Sequence, residues 1–195
     1  MKTLIIKYLP RGERSKTKQV LDAFLKNTSG EFEEIDLSHF VPDLLLPENL
    51  AAYYKRNYGG EELSETEKNS LAKMDQMTEQ FLTADKIVLA YPMYNFSLPA
   101  VVKAYFDSVL QKNKTWDINN GTYVGLMPNK KALIITSAGG KYSEGQEFSL
   151  PLSKALFNFV GIQAQTITAY GMAYPDAEEL LNEAVSQAEI AAKNW

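Results

Sequence analysis

A chain of 195 residues, 45% of them apolar, is long enough for one well-buried domain spanning 1–195 and too short for two of typical size. Its net charge of −4 offers no whole-surface case for nucleic acid or an anionic membrane as partner. The lack of cysteine excludes disulfides, thiolate nucleophiles and cysteine metal sites, and the single histidine, His39, excludes a histidine-based triad or a multi-histidine metal centre within one chain.

In chain order, KTLIIKY (2–8) reads as the first strand. Its apolar core is too short for a signal peptide, and no later segment approaches the ~20 apolar residues of a membrane span, so a cytoplasmic protein is expected. The loop LPRGERSKT (9–17) holds Arg11, Arg14 and Lys16 against one acid, Glu13, just before a helix that buries Val20, Leu21, Phe24 and Leu25. Two readings fit this loop. One is an anion site, in which free N–H groups at a helix start join the hydroxyls of Ser15 and Thr17 to receive a phosphate monoester; the other is a solvated basic turn. Neither GxxxxGK[ST] nor GxGxxG is present, which argues against ATP and a Rossmann-bound dinucleotide.

A second strand is expected over 31–37, then an insertion at 40–63 whose prolines, Gly59-Gly60 pair and three tyrosines (Tyr53, Tyr54, Tyr58) suit a lid or an oligomer contact. A helix carrying Leu71, Met74, Met77 and Phe81 follows, and then the strand 85–91, whose apolar run lacks alternation and so has both faces covered. Past Pro92, Ser97 is read as an N-cap and Pro99 as a first-turn residue of a helix bearing Leu98, Val101, Val102, Tyr105, Phe106 and Val109. Met93, Tyr94, Asn95 and Phe96 are thereby held outside the carboxyl end of a central strand, where open α/β sheets bind ligands. Two aromatics, a thioether and an amide suit a flat heteroaromatic ligand.

Residues 112–130, with Trp116 and Asn119-Asn120-Gly121, read as a short hairpin reaching over the sheet. The strand 131–137 leads into Ser137-Ala138-Gly139-Gly140, whose glycines let backbone N–H groups approach a ligand. A helix with Phe148, Leu152, Ala155, Leu156 and Phe159 on its buried face, a strand at 162–169 and a last helix begun by an Asp176/Glu179 capping box complete the chain. The alternation predicts an α/β fold with a doubly wound five-stranded parallel sheet, flavodoxin-like, in the order 2-1-3-4-5. The carboxylates are scattered, so no metal site and no acid/base pair are expected, and a cofactor is expected to carry the chemistry. The phosphate loop, the aromatic-amide loop and the glycine loop suit the phosphate, ring face and ring edge of FMN.

Taken together, PMYNF (92–96), KAYFD (103–107), KKALIITSAGG (130–140) and FVGI (159–162) make the chain resemble the FMN-dependent NADH-azoreductases, bacterial flavodoxin-like NAD(P)H:quinone and azo-compound oxidoreductases. The resemblance covers essentially the whole chain. It implies that Ser15, Lys16 and Thr17 bind the FMN phosphate, that Met93, Tyr94, Asn95 and Phe96 line the isoalloxazine, and that Ser137, Ala138, Gly139 and Gly140 bind its polar edge. Phe159 and Trp116 are the residues expected on the substrate side. It also implies a homodimer with active sites at the interface, NADH or NADPH as donor, a quinone or azo acceptor, a ping-pong two-electron cycle, and no catalytic side chain, the flavin itself carrying the reaction. The chain departs from the family pattern at Leu9 and Pro10, where a pair of serines is common, and at Ile118, near which relatives can place a tyrosine; Trp116 is the candidate aromatic in its place.

Two other readings belong to different classes. A flavodoxin-type electron carrier would bind FMN and dock to proteins through a strongly acidic face, against which 24 acids and 20 bases are a mild balance. A flavin-free regulatory protein could use the same fold, since fold does not fix function.

Overall fold

The strand Lys86–Pro92, β3, is buried from its first residue through Tyr91 because it lies at the centre of the sheet with helices on both faces. The computed structural model describes residues 1–195. Around β3 run β1 (Lys2–Lys7), β2 (Glu31–Asp36), β6 (Lys131–Ser137) and β7 (Ala164–Ala169), all parallel, in the order β2-β1-β3-β6-β7. With the separate hairpin β4 (Trp116–Asn119) and β5 (Thr122–Gly125) set aside, this is the strand order read from the sequence. Register ends β3 and β6 together, with Pro92 opposite Ser137, so their following loops leave the sheet side by side.

One face is covered by α1 (Lys16–Lys26) and α6 (Ala177–Lys193), which bury Val20, Leu21 and Phe24 with Leu181, Ala184 and Ala188 on Ile5, Val88, Leu133 and Ile135. The other carries α3 (Glu65–Thr83), α4 (Ala100–Val109) and α5 (Ser149–Phe159) over Leu4, Ile6, Leu89 and Ile134. On the first face, Trp195 packs edge-on against Phe24, and its indole N–H donates to Thr3 Oγ1 at 3.2 Å.

Several local expectations are corrected. The insertion 40–63 contains a helix, α2 (Pro47–Asn57), held to α3 by an Arg56–Asp75 ion pair and by Lys55 on Glu67. Helix α4 begins at Ala100 with Pro99 as its N-cap, because Ser97 is occupied in a two-bond bridge to Tyr94. Asp176 makes no capping bond; its carboxylate pairs with Lys141 at 2.6 Å, while a true capping box stands unforeseen at Ser64/Glu67. Phe148 is exposed, and α5 buries Ser149, Ser153 and Phe157 instead, since the buried Tyr91 hydroxyl takes both serines as partners. The hairpin packs against α5, with Met127 N–H donating to Val160 O at 2.8 Å, rather than over the sheet.

Candidate functional site

Three loops leave the carboxyl ends of β1, β3 and β6, and each touches the other two. Thr17 Oγ1 and Ser137 Oγ lie 2.7 Å apart, joining the first loop to the third. Met93 N–H donates to Ser137 O at 2.8 Å, joining the second to the third. Tyr8 meets Tyr94 edge to face at 6.1 Å, joining the first to the second. Ser15, Lys16, Thr17, Met93–Phe96 and Ser137–Gly140 are thus gathered at one end of the sheet.

The first loop turns through Gly12–Arg14 into α1, whose N-cap is Ser15; its Oγ accepts from Lys18 N–H at 3.2 Å and keeps its own proton to donate. Lys16 and Thr17, first in the helix, have N–H groups without intrahelical acceptors. Arg11, Arg14 and Lys16 enter no ion pair, while Glu13 is taken by Lys18 at 3.3 Å. That is an uncompensated positive end on a helix N-terminus, a favourable seat for a dianion. Thr17 is fully buried, and its hydroxyl braces Ser137.

The second loop is a two-residue turn. Tyr94 N–H donates to Ser97 O and Ser97 N–H to Tyr94 O, both at 2.9 Å, with Asn95 at φ 46° and Phe96 at φ 67° between them. Positive φ at both central positions is the type I′ turn, and a phenylalanine there is a strained choice. The strain is held by Phe148 N–H on Phe96 O at 2.7 Å and by the Tyr142 ring edge-on at 6.0 Å. Tyr94 is half exposed, and partial desolvation raises its phenol above the ordinary tyrosine range.

The third loop has its acceptors turned backwards. The carbonyls of Ala138, Gly139 and Gly140 receive N–H bonds from Met172, Ala173 and Gly171, at 3.0, 3.0 and 2.8 Å, in the segment after β7. The N–H groups of Gly139 and Gly140 are left without acceptors. A Cβ at Gly140 would lie 2.7 Å from the outer end of the Tyr142 ring, which would have to turn aside, whereas one at Gly139 would make only an ordinary 3.5 Å contact with Ala173. Tyr142, Phe148 and Tyr8 are the residues that sequence reasoning missed; no motif marks them, and only the fold brings them to the loops.

Six backbone donors, at Lys16, Thr17, Asn95, Phe96, Gly139 and Gly140, therefore stand free in three converging loops whose carbonyls are largely engaged. Such a set matches a ligand that is anionic at one end and rich in acceptor atoms at the other. Phe159 and Trp116 form a separate cluster with Tyr123, at ring separations of 5.2 to 5.7 Å, and no hydrogen bond or ring contact joins them to the three loops. Trp116 is buried with its indole N–H on Leu110 O at 2.9 Å, and Tyr123 is the exposed member. One hollow of about 720 Å³ runs along the acidic start of α6, and one of about 510 Å³ opens between Tyr142, Lys154 and Tyr170.

A family described as having a flavodoxin-like fold matches residues 1–191. An FMN-dependent NADH:quinone oxidoreductase of Beijerinckia indica is 33% identical over 96% of this chain and 95% of its own length. The crystal structure of an azoreductase from Bacillus anthracis superposes with a TM-score of 0.93 at 27% identity, covering 100% of both chains. That of an FMN-dependent NADH-azoreductase from the same species, in complex with FMN, gives 0.88 at 30% identity over 99% of this chain and 98% of that one.

Proposed function

This chain belongs to the flavodoxin-like family of FMN-dependent NADH:quinone oxidoreductases and azoreductases, and from that premise we propose how its own residues perform the reaction. It is an oxidoreductase that uses FMN and NADH. The observation that carries the assignment of the site is the set of six N–H donors without protein acceptors in three mutually contacting loops. When bound, FMN supplies two-electron chemistry in ping-pong order, from NADH to a quinone or azo acceptor that takes the donor's place.

The protein's part is binding and electrostatics. Lys16 and Thr17 N–H, the Ser15 hydroxyl and the ammonium of Lys16 hold the phosphate. Met93, Tyr94, Asn95 and Phe96 line the ring, with Asn95 and Phe96 N–H directed to its acceptors. Gly139 and Gly140 N–H bind the pyrimidine edge, where preorganised donors favour added negative charge, and Ser137 and Ala138 shape that loop. Phe159 and Trp116 back the exposed Tyr123, and this cluster reaches an acceptor from the other subunit of a dimer rather than from the three loops of its own chain. No side-chain acid is invoked, since solvent reaches the exposed loops. The test is steady-state kinetics with purified protein alone: NADH oxidation driven by a quinone, with FMN and no FAD released on denaturation. A protein that turned over only with an added electron-transfer partner would instead be a carrier.

The functional unit is a homodimer in the cytoplasm with the pocket shared between subunits. No helix is long and apolar enough to cross a membrane. Leu44, Leu45, Leu46, Tyr54 and Tyr58 on and flanking α2, with Tyr123 and Val124 on the hairpin, are exposed, more apolar surface than a monomer commonly leaves in contact with water. Sedimentation is expected to give a species of about 44 kDa, two 21.9 kDa chains related by a two-fold axis. A fully active monomer at assay concentration would refute the shared pocket.

A further inference from the structure

The chain uses NADH but carries no GxGxxG, so the residues that read the donor's adenosine lie outside that motif. The hollow of about 510 Å³ is of small-ligand size, and Tyr142 lines it. The same ring meets Phe96 edge-on at 6.0 Å and closes on Gly140, where a Cβ would lie 2.7 Å from it. One tyrosine thus belongs both to the hollow and to the loops assigned to the flavin, so a single elongated ligand can occupy the two.

The lining combines apolar rings with acceptors. Tyr142 and Tyr170, edge to face at 5.7 Å, and Pro151 supply surface for a flat base. Glu147 is only 7% exposed; one of its oxygens, Oε2, accepts from Leu150 N–H at 3.0 Å, and Oε1 has no protein partner. The Tyr170 hydroxyl is enclosed without a hydrogen-bond partner, and burial, followed by the charge of Glu147, pushes its phenol above the ordinary tyrosine range. That influence sets the carboxylate beside the hydroxyl. Glu144 and Glu147 against the exposed Lys154 leave the lining one net negative charge, and it contains no arginine.

We infer that this hollow receives the adenosine end of NADH, with Glu147 accepting a hydrogen bond from the ribose 2′-hydroxyl and so selecting NADH over NADPH. The inference rests on the reading of the three loops as the FMN site, where the nicotinamide end must lie. A carboxylate oxygen with a vacant lone pair is the acceptor that a ribose hydroxyl satisfies. A 2′-phosphate removes that hydroxyl and brings about −1.5 to −2 charges beside Glu147. NADPH therefore loses the bond and is repelled as well. Lys154 is the lining cation available to the diphosphate that joins the two halves of the donor.

The test compares FMN-loaded wild type with Glu147→Gln, whose amide carbonyl can keep the Leu150 bond at the start of α5. With a fixed quinone, wild type is expected to show kcat/KM about 100-fold or more higher for NADH than for NADPH, the weight of a repelled phosphate. Glu147→Gln is expected to narrow that ratio at least about tenfold, the loss falling on KM for NADH rather than on kcat. Ligand-observed NMR gives a readout independent of turnover: AMP should bind wild type and be displaced by NADH, and should bind more weakly to Glu147→Gln. Adenosine 2′,5′-bisphosphate should bind wild type more weakly than AMP does. Equal use of both donors by wild type, an unchanged ratio in the variant, an equal loss with both donors, or AMP that NADH does not displace would each overturn the inference. Flavin content of the same samples separates it from the reading beneath it: protein unable to bind FMN would overturn both, whereas FMN-loaded enzyme indifferent to the 2′-phosphate would overturn this one alone.

Discussion

Replacing Ser15 by Asp is expected to leave the fold standing while removing most of its affinity for FMN. Asp is as good an N-cap as Ser, and its charge suits a helix start, so α1 keeps the bond that Lys18 N–H now makes to Ser15 Oγ. A phosphate monoester carries about −1.5 to −2 charges near neutrality. A carboxylate about 4 Å from it, at the effective dielectric of ~20 found near protein surfaces, repels it by about 4 kcal/mol per unit charge. Even after screening by Arg11, Arg14 and Lys16, a loss of at least about 3 kcal/mol, on the order of 100-fold in Kd, is expected. Fluorescence titration of the apoprotein would measure it, with riboflavin as the control ligand. Lacking the phosphate, riboflavin should bind Ser15→Asp and wild type alike, and the apoproteins should melt within a few degrees of each other. An unchanged Kd for FMN would put the phosphate somewhere other than the head of α1.

The second large effect is on stability, at Gly125, the last residue of the hairpin. A Cβ built there would lie 2.2 Å from the carbonyl carbon of Val160 and 2.3 Å from Gly161 N, backbone against backbone, with no flexible side chain to give way. Leu126 N–H on Thr115 O and Met127 N–H on Val160 O hold both sides of the contact. Gly125→Ala must therefore either break those bonds or displace the end of α5, and is expected to cost at least about 3 kcal/mol, beyond ordinary overpacking. For a chain of this size that is a fall in melting temperature of about 6–12 °C, read by calorimetry. Gly121→Ala, at φ 78° in the hairpin turn with open space around it, is the comparison: it bears conformational strain alone and should cost about 1 kcal/mol. Equal losses in the two would mean that the hairpin is not pinned to α5 as the distances indicate.

The sequence conveyed the sheet best, because a buried parallel strand writes its environment into composition: Ile87, Val88, Leu89 and Ala90 leave no polar face to misread. The three loops were legible for the same reason, being punctuation at the ends of such strands. What failed was local chemistry decided by distant partners. Ser97 has an N-cap's composition but spends its backbone on Tyr94, and Asp176 has a capping box's spacing but is drawn to Lys141, 35 residues away. Phe148 looked like core because α5 was phased on its largest residues. The actual phase follows Tyr91, a buried hydroxyl whose need for Ser149 and Ser153 has no signature within the helix itself. In the candidate site, the place of Ser15, Lys16 and Thr17 at a helix start was legible, whereas Thr17's bracing of Ser137 required knowing that positions 120 apart meet.

The pairing of α1 with α6 on one face of the sheet has a consequence for how the molecule is made. Val20, Leu21 and Phe24 leave the ribosome well before the residues that cover them, Leu181, Ala184 and Ala188. Until then that face is an open apolar surface, and a long loop must close before its burial offsets the entropy of closure. The nascent chain is thus exposed to aggregation while the stretch between α1 and α6 is made, and a ribosome-bound chaperone has a defined surface to shield. The start of α1, proposed above as the phosphate seat, is firmly held only once α6 packs against that helix.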